Sequence, residues 1–488
     1  MTNGIRRHAS PLLVLVIVAL AQFMVILDAT VVNVALPSIQ RGLHFSTDTL
    51  QWVVNAYTLS FGGFLLLGGR AADLIGRKRL FMIGVVVFSL ASLLNGLATS
   101  AWMLVAGRTL QGLGGALVSP AALAVLTTTF SEGAERTRAL AVWSAVAVGG
   151  GAAGLLLGGI LTDLFSWQWV FFVNVPVGVG ALLLALRYVP ESRSEGIGRG
   201  VDVGGAFAIT AGLMVLVYAL VNAQQAGWAS GQTFGLAAVS AALLATFLVL
   251  EMRLRNPLIR LGIFRMRSLT SSNLVMLLVA AGMFAMFFFA SLYVQEILGY
   301  SPLTAGLAFL PVTAGIIAGA GLSQQLIKQV GVRIVGVGGM ALAAAGLLLL
   351  SRVPVAGSYA ADLLPGLMTM AVGMGFTFVP ITLIATTNVE PRDAGLASGL
   401  LNTSQQLGGA LGLAVLATLA ANSTTTTLAS LGGVPNAAAR VSATVGGFRV
   451  AFFVGACLMI AGSVLLAVLI RRSDVALIDS AEQPALAA

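Results

Sequence analysis

The chain has 488 residues, of which 58% are apolar and only 9% charged, whereas a soluble domain carries about a quarter charged residues. With a mean hydropathy of +0.98, it reads as an all-α polytopic membrane protein. The net charge of +9 comes from basic residues placed singly or in small groups between apolar stretches of roughly 20 residues, the distribution of topology signals and not of a nucleic-acid surface. Cys457 is the sole cysteine and His8 and His44 the only histidines, so neither an intrachain disulfide nor a His/Cys zinc site can form. A Gly-Lys-Ser/Thr phosphate-binding loop is also missing from the sequence, which argues against a nucleotide-driven pump on this chain.

In chain order, residues 1–10 form a short basic head with Arg6 and Arg7. The apolar run that starts at Pro11 continues through Asp28 to Pro37 without a small-x-small cleavage site, so it is read as an uncleaved first helix. Further spans are predicted near 50–69, 80–98, 102–128, 139–161, 169–189, 202–222, 232–251, 270–292, 303–322, 334–351, 361–383, 394–420 and 448–470, fourteen in all. Fourteen spans put both termini on one side and assign every loop to a face. Of the 26 Lys and Arg residues, 21 fall on the face predicted to be cytoplasmic, while Arg41, Arg352, Arg440 and Arg449 fall on the other and Arg108 lies within a span. That bias supports the count, because a missed or invented helix would scramble it.

The most specific motif is the loop after the second span, Gly69-x-x-x-Asp73-x-x-Gly76-Arg77-Lys78. Its spacing resembles the signature loop between helices 2 and 3 of the major facilitator superfamily. A weaker echo follows the tenth span, where Gly331 and Arg333 stand as Gly76 and Lys78 do and Lys328 replaces the acid. If spans 9–14 repeat spans 1–6, residues 11–189 and 269–470 are two six-helix halves. Residues 190–268 are then a two-helix insert with flanking loops, and 471–488 a cytoplasmic tail. Arg253 to Arg267, after that insert, is the most basic loop and is expected along the cytoplasmic membrane surface.

Four further stretches resemble the fourteen-helix drug:proton antiporter branch of that superfamily. They are Leu27 to Pro37 in the first span, Arg108-x-x-Gln111-Gly112 in the fourth, Gly150 to Gly159 in the fifth and Val175-Pro176-Val177-Gly178 in the sixth. Relatives usually have Gly-Pro in the fifth helix where this chain has Gly154-Leu155, and arginine between two tryptophans where it has Gln168. Gly150, Gly154 and Gly158, followed by Gly159, keep the four-residue spacing that lets helices approach closely, so the packing face is expected to survive without the kink.

An ionisable side chain inside a span is costly and marks function. Asp28 lies about 17 residues into the first segment, roughly 25 Å along a helix at 1.5 Å per residue, near the outer end of the hydrocarbon. There it could load a proton from outside and release it when its surroundings change; the alternative is a carboxylate facing outer water or capping a neighbour. Arg108 keeps its charge and must meet a carboxylate, a carbonyl or water. With Asp28 it forms the candidate proton-coupling pair, and its face through Gln111, Gly112, Gly115 and Ser119 is expected to line a central cavity, a structural anchor being the alternative. Gln51, Asn55 and Thr58 on the second span, Gln111 on the fourth and Asn402, Gln405 and Gln406 on the thirteenth are candidate substrate contacts, or else interhelical hydrogen-bonding groups. The Met and Phe residues of the ninth span, Met276 to Phe289, are either a plastic binding wall or packing.

The resemblance implies that Gly69, Asp73, Gly76 and Arg77 form a cytoplasmic gate, with Glu135 and Arg136 as partners at the mouth of the fifth helix. It further implies a proton-coupled secondary transporter that exports amphiphilic drugs, antibiotics or secondary metabolites by alternating access, with export of a non-drug metabolite or uniport as alternatives. No cofactor beyond the proton gradient is expected, and no enzyme activity, since no nucleophile or metal set is present. The expected partners are a small amphiphilic substrate, protons and the lipid bilayer. The setting is the plasma membrane of a bacterium, as a monomer with both termini cytoplasmic.

Overall fold

The structure, a computed structural model, describes residues 10–130, 134–192, 202–254, 257–259, 261–387, 389, 394–430, 436–471 and 475. The basic head and nearly all of the tail therefore lie outside the described residues. Among those described, fourteen long helices follow one another: α1 Pro11–Leu43, α2 Trp52–Ile75, α3 Arg77–Gly96, α4 Ala101–Thr129, α5 Ala134–Leu164, α6 Asn174–Tyr188, α7 Val203–Ala226, α8 Gly231–Arg253, α9 Arg267–Leu292, α10 Pro302–Val330, α11 Val332–Leu350, α12 Leu364–Thr386, α13 Ala394–Ser430 and α14 Ala437–Leu469. Thirteen of these segments are long and apolar enough to cross a membrane, α6 together with the single turn Trp169–Phe172 before it; in α5 the apolar part described is Gly149–Leu164. Helices are the expected solution, since a backbone in hydrocarbon must satisfy its own hydrogen bonds.

The helices outrun the predicted spans in several places. α1 continues through Pro37 to Leu43, because a proline bends a helix at the cost of one hydrogen bond without having to end it. Polar starts are capped: Asp202, Ser230, Ser301 and Asn436 each accept from a backbone N–H in the first turn of α7, α8, α10 and α14.

Packing follows one plan twice. α1 packs on α5, α2 and α3 on α4, and α3 on α6; the same pairs recur eight helices later as α9 on α13, α10 and α11 on α12, and α11 on α14. The two turns that echo each other in sequence also match in backbone. Gly76 (φ 116°, ψ 133°) joins α2 to α3, and Gly331 (φ 86°, ψ 153°) joins α10 to α11. Both occupy a quadrant that is essentially reserved for glycine. The fold is thus two six-helix halves with α7 and α8 between them in sequence. α7 packs against both α2 and α13, and α8 packs on α7.

The halves meet along three seams. At the face opposite the basic loops, Gly159 of α5 lies against Pro302 and Leu303 at the start of α10, and Gly306 lies against the Leu155 carbonyl. Beside it the end of α1 meets the end of α9. Deeper in the membrane, Gly62 of α2 faces Gln406 of α13, and Thr403 donates to the Gly62 carbonyl at 3.4 Å.

Candidate functional site

The face of α1 that carries Asp28 is buried by α4, α5 and α6. The Asp28 side chain is fully enclosed and Arg108 is 1% exposed. Their contact is direct: Arg108 Nη1 donates to Asp28 Oδ2 at 2.6 Å. The other carboxylate oxygen accepts from Gln111 Nε2 at 2.7 Å and Asn174 Nδ2 at 2.8 Å. Arg108 is held from three more directions. Its Nε donates to the Val53 carbonyl of α2 at 2.9 Å, Nη1 also donates to Gln111 Oε1 at 2.8 Å, and the Tyr57 ring lies 4.3 Å from the guanidinium carbon. A second tier closes on Gln111: its Nε2 donates to Ser92 Oγ, and its Oε1 accepts from Asn95 Nδ2, both at 2.7 Å. Removing one member of such a buried pair leaves the other charge uncompensated.

The sequence marks Asp28, Arg108 and Gln111 but gives Gln111 a different place. Its amide is spent on this cluster, and the stripe below it is a packing face: Gly112 lies against the Tyr57 carbonyl and Gly115 against the Phe61 ring. In this structure the stripe that the sequence assigns to a cavity is packed against α2. Asn174, Ser92, Asn95 and Tyr57 escape sequence reasoning. Their one signal is polarity in otherwise apolar runs, which does not distinguish a ligand of Asp28 from ordinary helix pairing.

The other expected residues are dispersed. Gln51, just before α2, and Asn55 and Thr58 on it are buried; Asn55 Nδ2 donates to Gln51 Oε1 at 3.2 Å and Thr58 Oγ1 to the Val54 carbonyl at 2.9 Å. On α13, Asn402 is exposed while Gln405 and Gln406 are half-buried. Most of the α9 stripe is packing: Phe289 meets Phe448 and Phe452 of α14 with ring centroids 5.5 and 6.2 Å apart.

α5 keeps the expected small-residue face. Gly150 sits against Phe23 and Ile26, Gly154 against Thr30 and the Leu27 carbonyl, and Gly158 against the Val31 carbonyl, so a side chain there would push α5 off the stretch of α1 that carries Asp28. α5 has no internal proline and runs as one helix from Ala134 to Leu164.

At the basic-loop face the signature loop meets the end of α6 and Glu191 beyond it. Glu191 Oε1 accepts from the Lys78 N–H at 3.2 Å, and Oε2 is 3.6 Å from Arg79 Nε. The Arg77 N–H donates to the Ser192 carbonyl at 3.0 Å, and Lys78 Nζ to the Leu186 carbonyl at 2.8 Å. Gly69 sits opposite Pro120 of α4. Glu135 is exposed in the first turn of α5, while the Asp73 and Arg136 side chains lie outside the described residues. Among the described residues, no group of three His, Cys, Asp or Glu side chains is placed to hold a metal ion.

Known proteins resemble this chain along most of its length. The puromycin resistance protein pur8 of Streptomyces alboniger is 42% identical over 452 residues, 92% of this chain and 89% of that protein. The cephamycin export protein CmcT of Amycolatopsis lactamdurans is 41% identical over 420 residues, 86% of each. The tetracenomycin C resistance and export protein of Streptomyces glaucescens is 35% identical over 420 residues, 86% of this chain and 77% of that protein. Among solved structures, a bacterial homologue of the human lysosomal transporter Spinster, inward-facing and unoccupied, has a TM-score of 0.67 at 17% identity, covering 99% of this chain and all of that one. That likeness is one of fold. The family model described as Major Facilitator Superfamily matches residues 18–413, and the chain belongs to that superfamily.

Proposed function

We propose that the chain is a proton-coupled exporter of amphiphilic antibiotics or similar small molecules. The observation that carries this reading is the enclosed Asp28–Arg108 pair, a proton-accepting group and a fixed cation in contact within the membrane. Relatives named for resistance to or export of puromycin, cephamycin and tetracenomycin C supply the substrate class. In the proposed cycle the basic loops face the cytoplasm, the seams at α1, α5, α9 and α10 close the outer side, and substrate enters from within. Protonation of Asp28 from outside releases Arg108, and deprotonation towards the cytoplasm restores the pair. Residues 11–189 and 269–470 are the halves that rock, 190–268 is the insert, and the head and tail are cytoplasmic. The Gly69–Arg77 loop, held at Glu191, acts as the cytoplasmic gate, with Asp73, Glu135 and Arg136 as further members.

The driving force suffices. One proton moving inward through ~100 mV and one pH unit supplies roughly 3.7 kcal/mol, enough for about a 500-fold gradient of a neutral substrate. The test is proton movement in everted vesicles, followed with a pH-sensitive dye while lipophilic antibiotics are added, for wild type and Asp28→Asn at matched protein levels. A compound should collapse the imposed gradient with wild type and not with the variant. Equal collapse by both would remove Asp28 from the proton path.

A further inference from the structure

Pro37 lies inside α1. A proline inside a helix has no N–H to give the carbonyl four residues earlier, and its ring pushes that carbonyl aside. Here the carbonyl is that of Asn33, and its partner comes from the other half of the protein: Ser291 Oγ on α9 donates to it at 2.6 Å. One residue on, the Val34 carbonyl accepts from Gln295 Nε2 at 2.9 Å, and the same Nε2 donates to Ser291 Oγ at 3.1 Å. Gln295 lies in the widened turn Tyr293–Ile297 that ends α9, a helix distortion that recurs at functional sites.

These bonds tie the two halves directly. Asn33 is five residues beyond Asp28, roughly 7.5 Å along α1, so the tie stands between the carboxylate and the face opposite the basic loops. Beside it, Pro37, Arg41, Gln295, Glu296, Tyr300 and Ser301 line a cavity of about 550 Å³. Water there can take over the carbonyls and the amide when the bonds part, so the tie can break without stranding buried polar groups. We propose that Pro37, Ser291 and Gln295 form a latch between the halves on the outer side of Asp28, and that its release is the step that opens Asp28 to outer protons. The proposal rests on the orientation and proton coupling given under Proposed function. Ser291 and Gln295 are positioning residues that act through α1.

The test is a distance measurement on the whole protein, reconstituted in lipid without substrate. Spin labels are placed at Thr99→Cys and Ala356→Cys, one on each half, in a Cys457→Ser background. The Ser291→Ala/Gln295→Ala variant should raise the ratio of long to short distances by about fivefold for each hydrogen bond lost. Pro37→Ala, which returns an N–H to Asn33, should move it in the same direction, and Ser291→Thr, which keeps the hydroxyl, should stay at wild type. A double variant with wild-type distances, or Ser291→Thr shifting as far as Ser291→Ala, overturns the latch. Shifted distances in a protein that moves no compound in the vesicle assay would sink the export reading and leave the latch standing.

Discussion

In the first half, α1 and α4 bring a carboxylate and a guanidinium to 2.6 Å in an enclosed site. In the second half, the helices at the same places in the packing plan, α9 and α12, carry no ionisable side chain between Ser268 and Leu292 or between Pro365 and Thr386. Their polar contacts are neutral, such as Ser404 Oγ donating to Asn273 Oδ1 at 2.7 Å. One set of helix contacts therefore supports two kinds of interior. A charge pair in hydrocarbon needs every lone pair and N–H satisfied, which fixes α1, α4 and α6 relative to one another. A Met- and Phe-rich interior makes no such demand and tolerates irregular packing.

The largest effect should come from splitting the pair. Arg108→Leu leaves Asp28 buried without its cation and should cost about 3–5 kcal/mol of stability, whereas Arg108→Leu combined with Asp28→Leu should recover most of that loss. Thermal unfolding of purified protein in detergent measures both. If the single and double variants melt together, the pair is not what holds the first half, and the contrast between halves fails.

The contrast sharpens at the next level down. Asn174 gives its hydrogen bond to a charged acceptor and Ser404 to a neutral one. Bonds to charged groups contribute about 1.5–3 kcal/mol against roughly 1 for neutral ones. Asn174→Ala should therefore slow efflux and, if the proposed proton coupling holds, shift its pH profile, because it changes what Asp28 gains on ionising. Ser404→Ala should lower stability slightly and leave the profile in place. Equal shifts for the two would mean that efflux does not read the charge state of the first half.

What was legible in the sequence follows the same division. The span count and the two charged residues of the buried pair are visible because charge in an apolar chain is rare, so each instance is informative. Asn174, Ser92 and Asn95 were not legible, since a single amide or hydroxyl in a span is common as helix-pairing glue. Glu191 was missed for a different reason. It lies 113 residues from Lys78, and only the packing of α3 against α6 brings them together. The contacts of Gln111 with Asp28 and Arg108 were not legible because helical spacing gives a shared face but not which neighbour covers it.

The smallest effects should appear at the two glycine turns, where the halves are most alike. Gly76 and Gly331 both hold positive φ, so alanine at either should cost about 1–2 kcal/mol from backbone strain alone. Gly76 has a second constraint, because a Cβ there would come within 2.6 Å of Glu191 Oε1 and displace the carboxylate that caps the Lys78 N–H. Glu191 is partly exposed, and its side chain can swing away into water, which limits the added loss of stability. It cannot swing away and still hold the loop. Gly76→Ala should thus match Gly331→Ala in melting temperature to within a few degrees yet lose more efflux, and adding Glu191→Ala to Gly76→Ala should cause no further loss. If Gly331→Ala lowers efflux as much as Gly76→Ala, the two turns are equivalent in function as well as backbone, and the gate belongs to both halves and not to the charged one.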